Sequence, residues 1–527
     1  MAIELSNLTF TEQDDIVPAF GLEEIFNTGL ANTLAGDDII TGTGKFLTML
    51  PFEEFRGPYY YSYSINNESG LSNDYATLNT GTGNDRITGI VKNSGYFFPE
   101  NSHSGITNNF GTINTDDGND TITGIIQNKT SQFSPNAGIY NHYATINTGD
   151  GNDIINGFFD PIITDSSQVC SGIKSEYSTI NTGDGNDTIT GTGIEGVGGG
   201  IELNSGGTLD TGKGHDIITG MGIGGIINFM VTFNTGEGND TITGSAHGLY
   251  GPGIHNSGSI DTGDGNDIIT GTNPIGTKVR GGSAYGIFNE PSGSIDTGDG
   301  NDIITAFSDI ACYNAGSINT GNGEDSIIFQ EELTNYGGVF LGDDNDSITV
   351  DTDVSDRAII NFKFLGTGDG NDTITSTGVI YNESVIETGN GDSPIIVDGG
   401  VDDDITGTTY GIYNNGGAIN MGDGNDSIIA NEGFESAENS SGAWFLGEGE
   451  DYIKGLGSGD FYGGNGNDTL ELTPGTYTVR IWGEAGESPI FTKGDQLMIT
   501  SEFEKLKAGG IIYDFTSLTA GQIIIVA

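Results

Sequence analysis

The chain has 527 residues, of which 90 are glycine and 12 proline, a composition that excludes a helical protein; its 34% hydrophobic content, with isoleucine at regular spacing, excludes plain disorder. With 74 acidic against 16 basic residues the formal charge is −58, which repels nucleic acid, anionic membrane surfaces and most polyanionic glycans. Cations are the partners that such a charge favours.

In chain order, the first residues, MAIELSNLTFTEQDD, show no basic n-region and no apolar stretch of signal-peptide length, and no run of 18 apolar residues occurs anywhere. Neither a Sec leader nor a transmembrane segment is therefore expected. Residues 1–33 read as an N-terminal segment or cap. An insert from Lys45 to Ser64 packs three Phe and four Tyr into twenty residues, and residues 95–98 and Phe158 to Phe159 add more aromatics. These read as a hydrophobic cap with corner loops, or as a contact surface for glycan, cell-surface matrix or another subunit.

From residue 34 to 468 the chain repeats. Gly-x-Gly-x-Asp occurs intact twelve times. The glycines and terminal aspartates are Gly81, Gly83 and Asp85; Gly149, Gly151 and Asp153; Gly183, Gly185 and Asp187; Gly236, Gly238 and Asp240; Gly263, Gly265 and Asp267; Gly298, Gly300 and Asp302; Gly368, Gly370 and Asp372; Gly422, Gly424 and Asp426; Gly447, Gly449 and Asp451; and Gly464, Gly466 and Asp468. Asp216 and Asp325 end the two remaining copies. Asp120 and Asp346 end loops in which Asp116 and Asp344 replace a glycine, Ser393 replaces the terminal Asp of a third imperfect loop, and Gly457, Gly459 and Asp460 form a shortened one.

Two glycines in five residues permit φ > 0, which turns backbone carbonyls inward, and the fixed Asp adds an anionic oxygen at the same place. Oxygen donors so grouped suit a hard cation. Calcium takes six to eight oxygens, more than one loop offers, so the missing ligands are expected from an identical loop stacked beside it. The terminal aspartates and neighbouring carbonyls are the expected ligands, with Asp150, Asp184, Asp264 and the other central acids facing solvent. Binding should be weaker at the three imperfect loops that carry Asp116, Asp344 and Ser393.

Between the loops, GIHNSGSIDTGDGNDIITG from Gly253 to Gly271 shows the coil pattern: isoleucines in runs of three or four residues bounded by Gly or Asn, each a short strand between turns. Three such strands make one coil. The most compact early unit, Asp216 to Asp240, spans 24 residues, and longer units carry inserts after the x-Ile-x-Gly strand. The expected fold is an all-β parallel β-helix or β-roll solenoid, with inward Ile, Leu and Phe forming a thin core and Asn256, Asn289 and Asn414 satisfying turn backbone in a ladder.

Gly263, Gly265, Asp267 and Ile269 fill the second, fourth, sixth and eighth positions of the nonapeptide G-G-x-G-x-D-x-U-x, with Thr usually replacing its first glycine. On these residues, over roughly 34 to 527, the chain resembles the repeats-in-toxin (hemolysin-type) calcium-binding proteins secreted by bacteria. It departs in spacing, since most of the aspartates lie 21 to 35 residues apart where tandem nonapeptides place stacked loops 18 apart. The resemblance implies several bound Ca2+ ions, folding on calcium after passage through a type I secretion apparatus, and a place in the extracellular region or on the cell surface. Residues 469–527 alternate at Glu471 to Ile481, carry strand-like runs at Gln496 to Ile499 and Ile511 to Phe515, and end in IIIVA. They resemble the C-terminal export region of type I substrates, and also read as a cap over the last edge strand.

Cys170 and Cys312 lie several coils apart and should not form a disulfide. A G-x-G-x-x-G at Gly191, Gly193 and Gly196 and a near P-loop ending at Lys213 lack the helix that each motif needs. The five histidines show no metal-ligand spacing. Parallel β-helices also host polysaccharide lyases and epimerases, but basic residues are scarce here, with Arg280, Arg357 and Lys363 the mid-chain candidates. A structural, matrix or adhesion role is expected ahead of a β-helix lyase, epimerase or hydrolase acting on extracellular polysaccharide.

Overall fold

The computed structural model describes all residues except 1–2, 14, 18–24, 46–69, 93–103, 128–135, 161–169, 194–197, 249–250, 275–283, 353–356, 402–408, 437–441 and 483–487. The aromatic insert from Lys45 to Ser64 therefore lies almost wholly outside the described residues, as do residues 95–98 and Arg280. Two compact units are present, Met1–Asp264 with Ile269–Tyr285, and Gly265–Ile268 with Gly286–Ala527. Each is an all-β solenoid with three parallel faces.

One coil of the first unit shows how the sequence makes the fold. Asn136–His142 lies on the first face, Thr145–Asn147 on the second and Ile154–Asp160 on the third. One coil later Cys170–Glu176, Thr179–Asn181 and Thr188–Thr192 pair with them in parallel, placing Ile173 beside Ile139, Ile180 beside Ile146 and Ile189 beside Ile155. All six isoleucines are fully buried. Each coil thus sets like on like, and burying each such side chain contributes about 1.5–3 kcal/mol. The residues between coils that vary in number follow the third face, where the sequence places its inserts.

At the corner between the first and second faces, Tyr75, Phe110, Tyr143 and Tyr177 adopt φ of 47 to 52° and stack with ring centroids 4.7 to 5.0 Å apart. Phe159 is buried with Val91 and Ile126, so it belongs to the core rather than to a contact surface. The expected asparagine ladder is present. Asn27, Asn73, Asn108 and Asn141 are linked amide to amide, Asn228 donates to Asn256, and in the second unit the chain runs from Asn289 through Asn314, Asn335, Asn361 and Asn382 to Asn414.

In the second unit the same register sets Ile295 beside Ile318 and Ile304 beside Ile327. Cys312 is a buried free thiol beside Leu333. The boundary expected at residue 33 falls inside a solenoid stack, because Ile25 already pairs in parallel with Leu71, and Leu30–Asn32 with Thr77–Asn79. At the other end, Gly459–Gly466 pairs in parallel with Gln496–Ser501, and Thr469–Leu472 with Lys505–Ala508. Antiparallel strands Gly475–Trp482, Ser488–Lys493, Ile511–Asp514 and Ile523–Val526 then close the stack. Among the described residues no helix is long and apolar enough to cross a membrane.

Candidate cation-binding column

The Gly-x-Gly-x-Asp loops occupy the corner between the second and third faces, because a second-face strand such as Thr145–Asn147 leads into the loop and a third-face strand such as Ile154–Asp160 follows it. Their terminal aspartates stack into a buried column. The N–H of each donates to Oδ1 of the next: Asp85 to Asp120, Asp120 to Asp153, Asp153 to Asp187, Asp187 to Asp216 and Asp216 to Asp240, at 2.7 to 2.8 Å. In the second unit the links run from Asp267 to Asp302, Asp325, Asp346 and Asp372, and later from Asp426 to Asp451 and Asp468, at 2.7 to 2.9 Å. The central acids face outward, as Asp150 and Asp184 do.

Each Asp side chain therefore spends one oxygen on the neighbouring loop. The other, Oδ2, is buried without a hydrogen bond in Asp85, Asp120, Asp153, Asp187, Asp216, Asp302, Asp325, Asp346, Asp372, Asp426, Asp451 and Asp468. The threonine that opens each loop lies close enough to lower the pKa of its aspartate, as Thr148 does for Asp153 and Thr182 for Asp187, but Thr148 Oγ1 donates to the carbonyl of Thr182 at 3.3 Å. Burial, opposed in part by these hydrogen bonds, pushes Asp153 and Asp216 up to about 6 and Asp120 and Asp187 up to about 7. In the second unit it pushes Asp302 and Asp426 up to about 7 and Asp346 up to about 8. A column of buried carboxyls with unmet oxygens is costly unless a proton or a cation answers the charge.

The glycines supply further oxygens to the same column. In the loop 183–187, Gly183 and Gly185 have φ of 82 and 152°, and Cβ atoms on them would lie 2.1 Å from Gly149 O and 1.5 Å from Gly151 O. Both carbonyls of one loop thus point along the column at the next. The carboxylate joins them, since a Cβ on Gly238 would lie 1.4 Å from Gly214 O and 3.3 Å from Asp240 Oδ1. Consecutive loops therefore bring the glycine carbonyls of one loop against the glycines of the next, beside the terminal carboxylate, so that hard oxygens of the kind calcium takes are grouped at this corner. Among the described residues no group of three or more His, Cys, Asp or Glu side chains could hold a metal, so such a site depends on backbone oxygen.

The three imperfect loops differ in kind. Asp116 and Asp344 take φ of 57 and 88°, the glycine conformation, and the column passes through both. At Ser393 the column continues through a hydroxyl: Asp372 N–H donates to Ser393 Oγ at 3.1 Å, and Ser393 Oγ donates to Gly370 O at 3.2 Å. Here the glycine carbonyl has a proton donor of its own. Asp460 corrects the sequence reading, because it lies on the strand Gly459–Gly466 and the column steps directly from Asp451 to Asp468. Two members escaped the sequence reading. Asp38 accepts from Asp15 N–H and receives no glycine signal at position 34, where Leu34 itself adopts φ of 75°; Glu504 accepts from Asp468 N–H.

No family model matches the chain, and no curated protein does. Among solved structures the chain is similar to a hyperactive, Ca2+-dependent, β-helical antifreeze protein from an Antarctic bacterium, at 20% identity over 71% of this chain and 84% of that one, with a TM-score of 0.31.

Proposed function

We propose that this is a calcium-binding β-solenoid that serves a structural, matrix or adhesion role outside the cell or on its surface and has no catalytic activity. The observation that carries the calcium reading is the buried column of aspartate Oδ2 atoms without hydrogen-bond partners, in loops whose glycine carbonyls stack along the same corner. Ser393 supports it from the opposite direction, since the coil that lacks the carboxylate has a hydroxyl donating to the glycine carbonyl. The ions would be held by terminal aspartates and glycine carbonyls of consecutive loops, and each would add about 1.4 kcal/mol of stability at calcium tenfold above its Kd. Sites of this kind have Kd values of about 10⁻⁴ to 10⁻³ M in extracellular modules, so the term is near zero at cytosolic calcium.

The likeness of the repeat to repeats-in-toxin proteins and of residues 469–527 to type I export regions supports a route through a type I secretion apparatus. A chain of charge −58 without bound calcium resists compaction and can be threaded before it folds. The calcium reading is tested by equilibrium dialysis of the full chain and of Ser393→Asp. The full chain is expected to bind several calcium ions at millimolar concentration, and the variant more. A full chain that binds none defeats the proposal.

A further inference from the structure

The column ends on a residue that no repeat supplies. Asp468 is fully buried, its Oδ1 accepts from Asp451 N–H at 2.9 Å, and its own N–H donates to Glu504 Oε2 at 2.8 Å. Glu504 thus takes the place that the next loop's aspartate, or Ser393 after Asp372, holds along the column. The chain returns the contact, since the N–H groups of Glu504 and Lys505 donate to Asp468 O at 3.2 and 3.0 Å. Asp468 Oδ2 makes no hydrogen bond.

Backbone oxygen converges at the same end. A Cβ on Gly463 would lie 2.0 Å from Glu502 O and 2.9 Å from Asp468 Oδ2, so both oxygens crowd the same side of this glycine. Glu502 reaches that position by taking φ of 62°, the left-handed conformation that glycines adopt in the repeat loops. An unmet buried carboxylate, the exposed carboxylate of Glu504 and the carbonyl of Glu502 group the same kinds of hard oxygen at the end of the column.

Resting on the calcium reading above, we propose a further calcium site at the end of the column, formed by Asp468, Glu504 and the carbonyl of Glu502, which ties the C-terminal β region to the solenoid. Glu502 and Glu504 directly follow Gln496–Ser501 and precede Lys505–Ala508, the two strands that join the antiparallel region to the parallel faces. Without the ion, the Asp468 and Glu504 carboxylates repel each other across the joint that holds these strands. With it, the same charges become the fastening.

Hydrogen exchange of the full chain, read by mass spectrometry with calcium and with chelator, tests the site. Glu504→Gln keeps an acceptor for Asp468 N–H and removes only the charge, and Glu502→Gln leaves the carbonyl donor untouched. In the parent and in Glu502→Gln, calcium should slow exchange over residues 468–508. In Glu504→Gln that protection should be lost while residues 148–190 remain protected by calcium. A Glu504→Gln protein with parent-like protection of 468–508 overturns the terminal site and leaves the calcium column standing. Loss of the calcium response at both segments in the parent overturns the calcium reading itself.

Discussion

Asp187 combines two opposed features: its Oδ1 secures the N–H of Asp153, and its Oδ2 is buried with no donor. Exchange for asparagine keeps an acceptor and removes the charge, so the sign of the effect should depend on calcium. With calcium at tenfold above Kd, Asp187→Asn should lose about 1.4 kcal/mol, the contribution of one site, whereas in chelator it should be neutral or stabilising. Paired thermal melts measure both signs, and destabilisation of equal size in the two conditions would assign Asp187 a purely structural role. The pH dependence follows from the same residues. Burial raises Asp120 and Asp187 to about 7 and Asp346 to about 8, from 3.8. A folded-state value above the unfolded one means that the folded chain binds protons more tightly. Its contribution is fully present below about pH 4 and is lost as pH rises through 6 to 8. The calcium-free protein should therefore keep more β signal, and lose it at a higher temperature, at pH 5 than at pH 8, where it is largely unfolded, and calcium should remove or invert that difference. A calcium-free melting temperature that rises over this window would contradict the burial of unmet carboxylates.

At the scale of the loop, the glycines are required by the loop beneath rather than by flexibility. A Cβ on Gly185 meets a backbone carbonyl at 1.5 Å and φ is 152°, while Gly206, at φ of 72°, has nothing within 4 Å. Gly185→Ala should cost at least about 3 kcal/mol, because backbone cannot move aside, and Gly206→Ala only about 1–2 kcal/mol of conformational strain. Denaturant midpoints in calcium compare the two, and equal costs would remove the stacking explanation. The same contact explains what could be read in the sequence. A stacked loop must repeat its glycines and aspartate, so the column and the three short strands of each coil were visible as a pattern. Asp38 was hidden because Leu34 adopts the glycine conformation itself, leaving no Gly-x-Gly to see. Asp460 was misleading because a glycine and an aspartate within a strand, Gly459–Gly466, imitate a loop; the 17 residues from Asp451 to Asp468 are already one coil. Glu504 carried no signal, since its place is set by the pairing of Lys505–Ala508 with Thr469–Leu472 and not by any repeat.

For the molecule as a whole, the charge of −58 and the buried carboxyl column act together. Each coil buries only a few isoleucines, and each unit must hold its column of like charges against mutual repulsion, so neither the thin core nor the asparagine ladder is free of an opposing term. Calcium acts on both at once by neutralising the column and by bridging consecutive loops. In chelator at pH 8 circular dichroism should show a largely unfolded chain, with β signal returning cooperatively as calcium reaches the submillimolar to millimolar range. Magnesium should substitute poorly, because it demands near-ideal octahedral geometry and retains its waters, whereas carbonyls and carboxylates fixed by a stacked backbone cannot rearrange to suit it. A chelated chain that keeps the full β spectrum and melting temperature at pH 8 would mean that the apolar stack alone sustains each unit. Calcium would then be dispensable to the fold, and export of a loose chain would lose its physical basis.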